Sequence, residues 1–330
     1  MRNFCTYFNA AYIWKGLALY QSLCDVHEDF CLYVMALDEK TFEHLKNSHL
    51  PSLVVECWKD YETNRFLALK EERTFAEYCW TCGPTIIQHF LNSYALDDIT
   101  YLDSDLMFYN SFASVYDEIG SNSIALTRHF SDNDEQTGKF CVQFVYFKND
   151  EEGQSALQWW ADKCIEWCFA KIEPDRFGDQ KYLDAFPKMY KKVCIIENRG
   201  AGIAPWNMKH YDICSRSTVK YQDQTFPLVF FHFHGVKMDL EGSTLVVKFF
   251  DKDFPDTKHI TETLFVPYIQ IVMDILQRYM GQDVQKYRIK RNSMVETLYY
   301  KLRFALRNNP LAKMIYYRLH SYQGKEASKL

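Results

Sequence analysis

The sequence predicts an α/β protein with a mainly parallel sheet and helices on both faces. Short apolar runs alternate with longer stretches of 3.6-residue periodicity, the arrangement that yields βαβ units. The chain has 330 residues, 48% of them apolar and 17% aromatic, enough to fill one large mixed core or two modest ones.

The elements follow in order. Phe4–Phe8 reads as a strand, with a helix after it through Gly16–Tyr20. Leu32–Leu37 is a second strand ending at Asp38, and Leu53–Glu56 a third. Residues 73–96 carry helical periodicity, and Ile99–Leu102 is a buried strand that delivers Asp103-Ser104-Asp105 to its C-terminal end. Strands at 123–127 and 142–147 come next, then a tryptophan-rich helix and the Phe177–Leu183 segment. From about residue 193 the pattern is strand and loop, with Gly200 and Gly202 ahead of Trp206-Asn207 and an apolar run ending in His232-Phe233-His234-Gly235. Residues 262–280 and 294–319 read as helices. A catalytic domain over 1–260 and a helical basic appendage over 261–330 are expected.

Charge narrows the function. The net charge of -5 offers no global basic field, so no nucleic-acid partner is expected. The charge is uneven: residues 286–330 hold 11 Lys/Arg against two acids, leaving 27 basic and 41 acidic residues before them. The 11 scattered cysteines, and the absence of a cleavable apolar segment before the first strand, point to a reducing cytoplasm. No window approaches a membrane span. Cys79 and Cys82 have metal or redox spacing, but their helical apolar context favours a packing role.

Ligands of open α/β sheets collect outside the carboxyl ends of the strands, which is where Asp103 and Asp105 fall. Two carboxylates one residue apart can hold a hard divalent cation, and an imidazole among the ligands favours manganese over magnesium. His232 or His234 supplies it; the two are expected to face opposite sides, so that only one reaches the metal. Tyr7, Asn9 and Asp38 lie at strand C-termini and read as nucleotide contacts, with helix capping as the other role for Asp38. Trp206 either stacks on a sugar or packs in the core.

Tyr101-Leu102-Asp103-Ser104-Asp105 resembles the Asp-x-Asp motif of GT-A glycosyltransferases. With Asp179-Gln180 and His232-x-x-Gly235 after it, the order of motifs is closest to glycosyltransferase family 8, the group of glycogenin and the bacterial lipopolysaccharide galactosyltransferases. The likeness covers roughly residues 1–240 and implies a GT-A fold. It implies that Asp103, Asp105 and His232 bind Mn2+ or Mg2+, which bridges the diphosphate of a nucleotide-sugar donor, a UDP-sugar foremost. Ser104, Gly235 and Lys237 then fall at the donor. Asp179 and Gln180 line the face where the sugar reacts, Gln180 supporting the developing cation in a retaining transfer, or Asp179 acting as base in an inverting one.

The implied activity is transfer of a hexosyl group to a glycan or lipid-linked acceptor. The competing readings are a nucleotide-sugar nucleotidyltransferase and a non-catalytic carbohydrate-binding or assembly protein of the same fold. The basic tail has two readings: an amphipathic helix lying on an anionic membrane face, or a helix packed on the catalytic domain.

Overall fold

The computed structural model describes residues 1–249 and 258–291. Its strands are β1 (Arg2–Phe8), β2 (Phe30–Ala36), β3 (Leu53–Cys57), β4 (Asp98–Leu102), β5 (Leu106–Phe108), β6 (Ile124–Arg128), β7 (Phe140–Lys148), β8 (Val193–Ile196), β9 (Asp212–Ser215), β10 (Thr218–Tyr221), β11 (Gln224–Pro227), β12 (Phe230–His232), β13 (Val236–Glu241), β14 (Thr244–Phe249) and β15 (Lys286–Arg291). The main sheet has seven strands in the order β3-β2-β1-β4-β7-β6-β8. β7 alone runs against the other six.

The sheet is covered on both faces, which is why its strands are almost continuously apolar rather than alternating. Along β1, Phe4 and Phe8 enter one core layer while Cys5 and Tyr7 enter the other. The first layer is completed by Leu17 and Leu23 of the helix Ile13–Asp25 and by Tyr268 and Val272 of the helix Val266–Arg278. The second takes Ile86 and Phe90 from the helix Phe75–Ser93, and Leu157 and Trp160 from the helix Glu151–Glu166.

The helix Phe75–Ser93 starts where it does because of a capping box. The Glu77 carboxylate accepts from the Thr74 backbone N–H at 2.9 Å, and the Thr74 hydroxyl accepts from the Glu77 N–H at 3.4 Å. Behind β4, β5 and β12 form an antiparallel pair pairing Phe230 with Phe108 and His232 with Leu106. Phe230 stacks on Phe144 of β7 at 5.6 Å, tying this small ladder to the main sheet.

The helical expectation for the late chain is met over 258–278, which includes a π turn at Thr261–Phe265. It fails at Lys286–Arg291, a strand parallel to β14 in a three-stranded sheet. The pattern there has a period of two: Tyr287 and Ile289 pack against the core while Lys286, Arg288 and Lys290 are exposed. The expected helix at 294–319 lies outside the described residues. Among the described residues, no helix is long and apolar enough to cross a membrane.

Because Phe230 is fully buried between Phe108 and Phe144, Phe230→Ala is expected to lower the unfolding free energy by about 3–5 kcal/mol. Denaturant unfolding followed by tryptophan fluorescence measures it; a loss below about 1 kcal/mol would show that the ladder is not anchored through this ring.

Candidate active site

A cavity of about 630 Å³ opens at the carboxyl ends of β1 and β4, within the usual size range of small-molecule sites. Its floor is made where β4 ends. The Asp103 N–H donates to the Gln143 carbonyl at 3.0 Å, and the Leu106 N–H returns to the Asp103 carbonyl at 3.2 Å, forming a turn that projects both carboxylates. β5 follows directly and its pairing with β12 brings His232, 127 residues away, beside Asp105. The Phe233 N–H closes the join on the Asp105 carbonyl at 2.9 Å.

Asp103, Asp105 and His232 therefore offer ligand atoms that all lie within 4.8 Å of one another. His232 Nε2 is 2.9 Å from Asp105 Oδ1 and 3.6 Å from Asp103 Oδ2. Its Nδ1 donates to Gln143 Oε1 at 2.9 Å, and Nε2, which faces the carboxylates, needs a second proton for its 2.9 Å hydrogen bond to Asp105 Oδ1. The Tyr101 hydroxyl donates to Asp103 Oδ1 at 2.8 Å, its ring stacked on Tyr7 at 5.4 Å. Lys15, buried on the helix Ile13–Asp25, reaches Asp105 Oδ2 at 3.0 Å.

The electrostatics follow from this packing. Burial would raise the Asp105 carboxyl, but Lys15 and then His232 hold it well below the usual range. Asp103 is raised by burial and by Asp105, against the pull of His232. Burial would depress His232, yet Asp105 leaves it above the ordinary imidazole value. Asp179, on the opposite wall, is pushed up to about 8 by burial and by Asp103.

Tyr7, Asn9, Ser104, Asp179 and Gln180 line the same cavity as Asp103, Asp105 and His232. Asp38, Gly235 and Lys237 are not among its lining residues. The Asp38 carboxylate caps the helix Glu39–Asn47, accepting from Thr41 N at 2.7 Å, and also accepts from Ala10 N at 2.8 Å, which shapes the turn carrying Asn9. Gly235 takes a left-handed turn at φ +73°, and Lys237 is on β13.

The two histidines do not face opposite ways. His232 and His234 both line the cavity, with ring centroids 5.4 Å apart, because residues two apart on an extended chain share a face. Burial and the neighbouring His232 push His234 down to about 4, so it is neutral. Trp206 lies against His129, His232 and His234 and is also exposed to the cavity. Gly202 has φ +89°, a conformation that strains any other residue, and a Cβ there would press on the Gln143 amide nitrogen at 3.1 Å.

Of the cysteine pair, Cys79 lines the cavity and Cys82 is buried in the core. Arg73 donates to Thr81 and to the carbonyls of Cys164 and Ile165, so its charge is spent inside the scaffold. The far wall is clasped by Lys181, whose ammonium donates to the carbonyls of Glu135 at 2.8 Å, Gln136 at 3.1 Å and Glu173 at 3.5 Å. Gln180 Nε2 donates to Thr137 O at 3.0 Å in the same clasp.

Sequence reasoning missed Lys15, Gln143 and Tyr101 as parts of this site, and held His234 only as the alternative to His232. Lys15 left a readable mark, a single charge within the helical run Ile13–Tyr20, and Gln143 another, a polar residue inside the apolar run of β7.

No family model matches the sequence. Two proteins of Bacillus subtilis (strain 168), both described as uncharacterized, are similar along most of the chain. YfnD is 32% identical over 249 residues, covering 72% of this chain and 79% of its own. YfnF is 30% identical over 247 residues, covering 71% of this chain and 82% of its own. Among solved structures, the galactosyltransferase LgtC, determined in complex with donor and acceptor sugar analogues, aligns with a TM-score of 0.52. That alignment covers 82% of this chain and 95% of LgtC at 11% identity, a likeness of fold. The chain belongs to the family of YfnD and YfnF, and its fold is that of the GT-A glycosyltransferases.

Proposed function

We propose that this protein is a metal-dependent glycosyltransferase that moves a hexosyl group from a nucleotide-diphosphate-sugar, a UDP-sugar foremost, to a glycan or lipid-linked acceptor. The observation that carries the reading is the convergence of Asp103, Asp105 and His232 at the strand C-termini, with Asp179 and Gln180 on the facing wall of one cavity. The motif order supports placement in glycosyltransferase family 8, and the GT-A fold agrees with it.

The donor set suits the ion. Two carboxylates and an imidazole whose Nε2 is presented by the Gln143 hydrogen bond fit Mn2+, with Mg2+ as the harder substitute. When bound, the ion supplies Lewis-acid stabilisation of the leaving diphosphate. The chain's own residues do the rest. Tyr101 orients Asp103, and Lys15 orients Asp105. Tyr7 and Asn9 receive the nucleotide, with Ser104 at the diphosphate. Asp38 is assigned to the nucleotide through the turn it fixes, and Gly235 and Lys237 through the chain following His232. Gln180 and Asp179 are assigned to the reacting carbon, with retention expected from the family resemblance; the Gln180 amide donates to Thr137 O.

Among the described residues, every one lining the cavity precedes residue 260; we take the catalytic unit as 1–260 and residues 261–330 as an appendage whose described part packs on the core of that unit. We also assign the protein to the cytoplasm, with the basic stretch 286–330 as a contact to an anionic membrane face. Truncation after residue 291, which keeps β15, is expected to abolish sedimentation with anionic liposomes; equal sedimentation of full-length and truncated protein removes that assignment.

Calorimetric titration of UDP and GDP, with and without Mn2+, tests the donor site. Binding of one nucleotide is expected to require Mn2+ and to weaken in Asp105→Ala by more than the about 10–100-fold typical of losing a supporting residue. Absence of binding across nucleotides in wild-type protein would favour the carbohydrate-binding alternative.

Asp179 gives a second test through its proton. A carboxyl raised from its ordinary value to about 8 in the folded state binds more protons there than when unfolded. Its contribution to stability is present in acid and is lost as pH rises toward and through 8. Asp179→Asn removes that dependence, so in EDTA the variant is expected to gain stability relative to wild type between pH 5 and pH 9. A stability difference that is flat with pH would show that Asp179 ionises normally.

A further inference from the structure

We propose that Lys15 sets the metal affinity of the Asp103–Asp105–His232 cluster, keeping the bare site weak so that ion and diphosphate bind together. The inference rests on the metal-site reading above. The Lys15 side chain is 4% exposed, so water screens its charge little, and Nζ lies 3.0 Å from Asp105 Oδ2. It is held over the rings of Tyr12 at 4.4 Å and Trp14 at 5.4 Å, and Asp105 is its one carboxylate partner among the described residues.

The consequence is a matter of charge. Once His232 gives up its Nε2 proton to an incoming divalent ion, two aspartates and a neutral imidazole present two negative charges to it; with Lys15 beside them the balance is one. The ammonium divides Asp105 between two duties, Oδ2 to the lysine and Oδ1 toward His232. It repels a second cation at short range in a poorly screened site. A diphosphate supplies the missing negative charge, so each partner raises the affinity of the other by the same factor. The resemblance that located the aspartates assigned no role to this lysine. The role follows from a buried cation built onto a ligand residue.

The sign of the effect makes the test decisive. Lys15→Met keeps the length and apolar bulk of the side chain and deletes the charge, whereas Lys15→Arg keeps the charge. Free Mn2+ is measured by electron paramagnetic resonance during titration of each protein without nucleotide, and again with UDP. Lys15→Met is expected to bind Mn2+ about tenfold or more tightly than wild type without nucleotide, Lys15→Arg to stay within a few-fold of it, and the enhancement by UDP to shrink in Lys15→Met. Damage to the site would weaken binding, so tightening is not a by-product of disturbed packing.

A Lys15→Met protein that unfolds thermally like wild type but binds Mn2+ equally or more weakly overturns the proposal. If Lys15→Met does not fold, Lys15→Gln is judged by the same criterion. An Asp105→Ala variant that binds Mn2+ as well as wild type would show instead that the cluster is not the metal site, and both readings fall.

Discussion

The two-stranded pairing of β5 with β12 is the constraint on which the rest of the site depends. β4 delivers Asp103 and Asp105 by itself, but three residue pairs and the Phe233–Asp105 backbone bond bring in His232. Aromatic packing holds the ladder beside these hydrogen bonds: Phe230 lies between Phe108 and Phe144, and Phe231 and Phe233 meet Phe265 of the late helical segment. The geometry of a buried polar cluster is thus set by aromatic shape, whose close packing resists small displacements. The late helix, which adds no lining residue to the cavity, takes part by supporting the strand that bears the histidine.

The site also shows how the fold accommodates charge that it buries. Three carboxylates, the half-buried Asp103 and the buried Asp105 and Asp179, line one cavity. Each is handled differently: Asp105 is paired with Lys15, Asp103 receives a tyrosine hydroxyl, and Asp179 is raised until it is substantially protonated near neutrality. Perturbed carboxylates of this kind cluster at functional sites, although structural ion-pair networks shift them too.

Much of this was legible in the sequence, and the parts that were not share a cause. Strands β1 to β4 and the turn at Asp103 were readable because a strand covered on both faces is a continuous apolar run, and its end is marked by the first charge. His232 was readable from motif order, although the ladder that moves it into place was not, since three-residue strands carry too little pattern. The pair His232 and His234 was misassigned to opposite faces although the period of two places them together. The basic strand Lys286–Arg291 was absorbed into an expected helical tail because its charge masked an alternation of Tyr287 and Ile289. Lys15 and Gln143 stayed hidden because each acts through a partner distant in sequence, a relation that local periodicity does not encode.

The clasp of Lys181 on three backbone carbonyls bears on what a ligand must supply when it arrives. Unliganded loops beside a cavity are commonly fixed only by the molecule they receive, and that molecule then bears the entropy of ordering them. Here the segment carrying Ser131, Asn133 and Thr137 is already fastened to the Asp179-Gln180 turn by an internal ammonium and an amide. A ligand that enters here meets a wall whose internal contacts are already made, so its binding carries less of the ordering cost of that loop.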